Sequence, residues 1–253
     1  MSSSPASAAP VALTAVLRDA LRFWQRHFWY LTSIAALLWL PLAVLELTGV
    51  AHGFDIDVDH FRLGDVVVNL FIVLVFELLV AELLAAASEK IVAADLHGVD
   101  LPSPRIFLRT VPWVSLVMGT LVYEVGVAVG LLFFVVPGFV VATYGVVTGP
   151  VVVAEGCRAL RAPGRSRELV RGSFRPVALF VFLAFVVSEA ISNLAGALLG
   201  MLPHAAAEPS GEYVGHVVTS PLFGMATAVL YYALIARERA RQRDEAAEAG
   251  PSL

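Results

Sequence analysis

The chain has 253 residues, of which 58% are hydrophobic and 15% charged, with a formal net charge of -4. Soluble domains carry roughly 45–50% apolar and about 25% charged residues, whereas the mean hydropathy here is +0.81. This balance excludes a disordered chain, a disulfide scaffold (Cys157 is alone) and an ordinary soluble enzyme, and leaves an all-α polytopic membrane protein.

Residues 1–10, MSSSPASAAP, hold no Lys or Arg, so they read as a disordered tail and not as the basic start of a secretory signal. Over 11–26, Leu13, Val16, Leu17, Ala20 and Trp24 recur at helical spacing beside Arg18, Arg22 and Arg26, which predicts an amphipathic helix lying at the membrane interface. The alternative is an extension of the first span. Residues 27–237 form one membrane domain and 238–253 a charged tail. A bilayer core of about 30 Å takes about 20 apolar residues in a helix. Spans are predicted over 28–50, 66–87, 113–136, 139–154, 176–202 and 217–236. The third and fourth are divided because a continuous helix over 113–154 would reach about 63 Å, twice that thickness. Pro137 and Gly138 sit at its middle, where proline breaks the ladder and glycine permits a turn.

Charge placement supports six spans independently. Cytoplasmic loops are enriched in Lys and Arg. With both termini inside, every basic residue except Arg62 falls on one side, in the segments holding Arg18 to Arg26, Lys90 to Arg109, Arg158 to Arg175 and Arg237 to Arg243. A single span over 113–154 destroys that asymmetry. The net charge then resolves into sixteen basic and ten acidic residues inside, one basic and six acidic outside, and five glutamates in the spans. Trp24, Trp29, Tyr30, Trp113, Tyr231 and Tyr232 fall at cytoplasmic interfaces, as aromatic belts do, while Trp39 reads as packing or lipid contact.

Outside the bilayer, Ser103-Pro104 is spaced to start a short helix over 104–111, and Ser166 precedes a helix bearing Arg167, Arg171 and Arg175. With Arg165 these arginines are the candidate contacts to anionic lipid or a membrane partner. Nucleic acid is not an expected ligand, since no soluble domain accompanies them. Loops 51–65 and 203–216 are acidic, with histidines, and lack metal-site spacing.

Inside the bilayer, Glu46, Glu77, Glu82, Glu124 and Glu189 have no Lys or Arg in the spans to pair with. Counted from the span starts, Glu77, Glu124 and Glu189 lie near the midplane, Glu82 in the inner half and Glu46 near the outer end. Glu189 and Asn193 share a helix face, so Glu77, Glu124, Glu189 and Asn193 form the candidate intramembrane polar cluster. It would serve either as a proton or cation acceptor or as carboxyls hydrogen-bonded between helices. Gly126/Gly130, Gly145/Gly149 and Gly196/Gly200 offer small-residue seams. Nucleophile elbows, phosphate loops and zinc-helix motifs are absent, so no enzymatic activity, cofactor or metal is expected.

The run 132–175 holds Pro137-Gly138, Pro150, Glu155-Gly156 and the segment from Ala159 to Gly172, and Pro221 opens a last span that exits through Tyr231, Tyr232 and Arg237. These features resemble a bacterial six-span membrane family known as the membrane domain of glycerophosphoryl diester phosphodiesterase. The resemblance implies a stand-alone membrane domain. In the family, the phosphodiesterase chemistry belongs to a separate soluble barrel, which this chain has no room for. The reading is a multi-pass protein of a bacterial plasma membrane, which the excess of arginine over lysine also suggests. Its expected partners are membrane lipids and a membrane protein or second copy. A small-solute or proton-coupled transporter using the midplane glutamates is the alternative.

Overall fold

A computed structural model describes residues 11–47, 63–99, 109–199 and 207–248, and these residues are almost entirely helical, with no strand. The tail 1–10, the Ser103-Pro104 start and nearly all of loop 51–65 lie outside them. Helix α1 spans Leu13–Arg26, α2 Phe28–Leu47, α3 Leu63–His97, α4 Trp113–Phe133 and α5 Val135–Gly145. They are followed by α6 over Thr148–Glu155, α7 over Ala162–Arg171, α8 over Phe174–Leu199 and α9 over Ala207–Glu248. Four stretches are long and apolar enough to cross a membrane: Trp113–Leu131, Val135–Glu155, Phe174–Leu198 and Tyr213–Glu248.

The amphipathic helix is distinct from α2, over which the first span is predicted. His27 interrupts the helical backbone between α1 and α2 (φ -112°, ψ 20°), and α1 buries Val16 and Ala20 while Arg18 and Arg22 face outward. Helix α3 outruns its predicted span by ten residues and stops where Gly98 takes φ +62°, a left-handed conformation that glycine adopts freely. Helix α9 begins at Ala207, so most of the expected loop 203–216 is helical. The same helix runs on without interruption through the charged tail to Glu248.

Helix α9 is the axis of the bundle, packed against α1, α2, α3 and α8. Around it lies an apolar core that includes Leu31, Val92, Val152, Phe180, Met225 and Leu234. Trp39 belongs to the interior. It is buried, stacks on His216 at 4.3 Å, and donates its indole N–H to Ser220 Oγ at 3.0 Å. Outward faces carry large exposed apolar side chains, among them Leu37, Val114, Phe133, Phe182, Phe185 and Leu198. A water-soluble protein does not expose so much apolar surface, and lipid is the solvent that tolerates it.

The hairpin between the third and fourth predicted spans forms, but not at Pro137-Gly138. The reversal is at Phe134, whose extended backbone (φ -158°, ψ 136°) ends α4 and opens α5. Pro137 falls in the first turn of α5, where its missing N–H has no intrahelical partner to lose. Gly138 acts by close approach: a Cβ on Gly130 would meet the Gly138 Cα at 2.8 Å, so the two glycines seat α5 on α4. The stretch Val135–Glu155, the fourth predicted span, is itself broken at Val146–Val147. Pro150 cannot donate to the Val146 carbonyl, and Gly149 before it is biased away from helix. Helix α6 therefore restarts at Thr148, whose hydroxyl donates back to the Gly145 carbonyl at 2.6 Å.

Candidate functional site

Two groups of polar side chains stand out, one inside the apolar stretches and one at the arginine-rich end of the bundle.

Inside, α3, α4 and α6 pack together. Glu82 on α3 is buried, and its Oε2 accepts the Gly149 N–H at 2.6 Å. That N–H is one of the unpaired donors of the α6 N-terminus, so a carboxylate caps a break in the middle of an apolar stretch. Gly149 makes the contact feasible, since a Cβ there would stand 2.5 Å from the same oxygen. Glu124 on α4 is fully buried, and neither of its carboxyl oxygens has a hydrogen-bond partner. Thr120, one turn earlier, is also fully buried with an unpartnered hydroxyl. Tyr123 packs its ring where a Cβ on Gly145 would lie and donates its hydroxyl to the Ala142 carbonyl at 2.9 Å. Glu82 and Glu124 are thus both buried, on two helices that pack on each other.

The predicted cluster of Glu77, Glu124, Glu189 and Asn193 does not assemble. Glu189 and Asn193 are exposed on α8, and the Asn193 amide donates to the Glu189 carbonyl at 2.8 Å on its own helix. Glu77 is half-buried on α3, about 140° around the helix from Glu82. The residue that joins Glu124 is Glu82, which depth counting put aside. Its signal was facial: Glu82 and Glu89 are seven apart and share one side of α3, and both are buried. The glycine seams divide similarly. Gly130, Gly145 and Gly149 are packed against neighbours, whereas Gly196 has open space where its Cβ would be.

At the other end, Arg165 is an internal anchor and not an outward contact. Its Nη1 and Nη2 donate to Glu238 Oε1 and Oε2 at 2.8 and 2.6 Å, a two-bond fork onto α9. Its Nε donates to Glu155 Oε2 at 3.0 Å, and the Tyr231 hydroxyl donates to Glu155 Oε1 at 3.3 Å. The hydrogen bonds from Arg165 hold the Glu238 carboxyl below the usual carboxylate range. Burial pushes the Cys157 thiol up, and the neighbouring Glu155 charge adds to the effect.

The anchor carries α7 with it. That helix starts at Ala162, with Pro163 in its first turn, so Ser166 lies mid-helix and is not an N-terminal cap. The Ser166 hydroxyl instead donates to the Tyr144 carbonyl at 2.8 Å, tying α7 to α5. Arg158, Arg161, Arg167, Arg171 and Arg175 remain exposed around this clamp, with Arg167 over the Tyr144 ring at 5.6 Å.

The chain matches no family model, no curated protein and no solved structure.

Beside the clamp, α1 roofs a cleft of about 800 Å³ against α3 and α9. Val16, Val92 and Val229 line its floor, and Arg22, Arg26 and Arg237 stand at its edge. Arg26 is paired with Asp95 at 2.7 Å, which pins α1 to the end of α3. At the same end, Tyr232 on α9 donates to Glu89 Oε1 at 2.7 Å.

Proposed function

We propose that this chain is a non-enzymatic integral membrane protein of six spans, with both termini cytoplasmic, that binds anionic lipid through its arginine-rich end. The observation that carries the reading is the exposed set Arg158, Arg161, Arg167, Arg171 and Arg175, held in place by the Arg165 clamp. Five guanidinium groups on a rigid mount at the membrane surface are a receptor for phosphate-bearing headgroups. The cleft under α1, with an apolar floor and an edge made of Arg237 and the ion pairs Arg22–Asp19 and Arg26–Asp95, would accept an acyl chain next to them.

The test compares anionic and zwitterionic lipids retained by the purified protein, measured by mass spectrometry. Each basic residue near an anionic surface contributes about 1 kcal/mol. Changing Arg167, Arg171 and Arg175 together to Gln is therefore expected to lower the preference for anionic lipid by about a hundredfold, at roughly 1.4 kcal/mol per tenfold. Unchanged retention in the triple variant overturns the reading.

A further inference from the structure

We propose that Glu82, Glu124 and Thr120 form an intramembrane proton-binding site, in which one exchangeable proton is held by the carboxyl pair at the break between α5 and α6. The break falls midway along the apolar stretch 135–155, and Glu82 meets the helix end it exposes, bonding Gly149 N–H at 2.6 Å. Interrupted spans whose half-helix ends face a charged group are a recurrent way of building ion sites in membranes. The second and independent observation is Glu124, 0% exposed and with both oxygens unpartnered. Thr120, also 0% exposed, adds an unpartnered hydroxyl one turn away on the same helix.

Among the described residues the surroundings supply no positive charge. From α3 the group facing Glu124 is Glu82; α4 adds only the Tyr123 phenol, already committed to the Ala142 carbonyl. Helices α5 and α6 carry no charged side chain between Val135 and Ala154. Where α9 crosses α3 beside the site it presents Gly224, against the Leu84 and Ala85 backbone. The nearest arginine anchor on α7, Arg165, is taken by Glu155 and Glu238. Two buried carboxyls on packed helices in hydrocarbon, with no cation beside them among the described residues, cannot both stay ionised. The proton belongs on Glu124, which has no donor to stabilise its anion. Glu82 keeps the backbone N–H bond and the α6 dipole, both of which favour its charged form. Moving the proton from Glu124 to Glu82 removes the charge from that cap, so the position of the proton within the pair, and not only its presence, bears on the α5–α6 break.

The experiment is infrared spectroscopy of the full-length protein in phosphatidylcholine vesicles, reading the carbonyl stretch of protonated carboxyls. At neutral pH a carboxylic-acid band is expected that shifts when the buffer is changed to D₂O. Glu124→Gln is expected to remove it, Glu82→Gln to alter its frequency, and Glu189→Gln to leave it unchanged. Wild-type protein alone suffices to refute the proposal. A band that never exchanges in D₂O makes the proton a fixed structural one. A band that disappears on adding sodium chloride at constant pH makes the site a sodium site. Persistence of the band unaltered in both Glu82→Gln and Glu124→Gln also overturns the assignment.

Discussion

Replacing Arg165 by Gln tests whether α7 is mounted by one side chain. The wild-type guanidinium makes two bonds to Glu238 and, from Nε, a bifurcated pair to Glu155, and Arg165, Glu238 and Glu155 are 25%, 22% and 25% exposed. An exposed ion pair contributes about 0–1 kcal/mol, and breaking a fully buried one costs about 3–5 kcal/mol. At three-quarters burial the loss should fall between these limits, and Arg165→Gln is expected to destabilise the protein by about 2–3 kcal/mol. Chemical unfolding in mixed micelles measures it. Arg165→Lys keeps the charge and loses the fork, so it should lie between wild type and Gln. The cycle with Glu238→Gln should be non-additive by about 1–2 kcal/mol, since each single change strands the other partner. The pH dependence has a definite sign. Glu238 is held below its ordinary value of 4.5, so its pairing stabilises the fold fully above that pH. That stability is lost as pH falls further, and the gap between wild type and Arg165→Gln should close below 4.5. A loss under about 0.5 kcal/mol, or an additive cycle, would falsify the clamp.

The two kinds of glycine should respond oppositely. A Cβ on Gly149 would stand 2.5 Å from Glu82 Oε2 and 2.7 Å from its backbone oxygen, so Gly149→Ala should destabilise by about 1–3 kcal/mol. Gly196 meets nothing within 4 Å, so Gly196→Ala should stabilise by about 0.5–1 kcal/mol through helix propensity; unfolding midpoints that move the same way for both would contradict this. Cys157 should alkylate slowly at neutral pH in the folded protein, with a rate still rising above pH 9, because burial and Glu155 disfavour its thiolate. Rapid labelling at pH 7 would place the thiol in a different setting. Glu189 faces outward, so Glu189→Leu should favour membrane insertion by about 2.5–3.5 kcal/mol. It should leave the unfolding free energy unchanged, and a destabilisation beyond about 0.5 kcal/mol would show that the side chain has a partner.

What could be read in advance depended on whether a local or a facial rule decided it. The amphipathic α1 was legible because its arginines and apolar residues alternate at helical spacing, and its buried Val16 and Ala20 lie on the expected stripe. Gathering of the basic segments was legible too: Arg26 meets Asp95, and Arg165 meets Glu155 and Glu238, all at one end. The same spacing could not show that Arg165 turns inward, because its partner Glu238 is 73 residues away. Run hydrophobicity also hid the break in the fourth stretch. A charge-free segment reads as one span, although Gly149-Pro150 already denies the ladder a donor at Val146.

Depth counting misplaced the intramembrane carboxyls for a more general reason. Distance from a span's start sets a residue's level in the bilayer, whereas contact between helices is set by azimuth, and five residues along α3 change azimuth by about 140°. Glu77 and Glu124 therefore share a level by count, yet the α3 carboxyl that meets the break between α5 and α6 is Glu82. Level is still informative once the face is known. The capped end of α6 and the two glycines that admit Tyr123 and Glu82 fall within a few residues of the break, and Glu124, with its unpartnered oxygens, follows Tyr123 directly in sequence. A buried carboxyl without a donor is costly to maintain in a merely structural role, because an apolar residue of similar size would pack there at no desolvation penalty. That cost is the physical ground for assigning the α3–α4–α6 junction a proton.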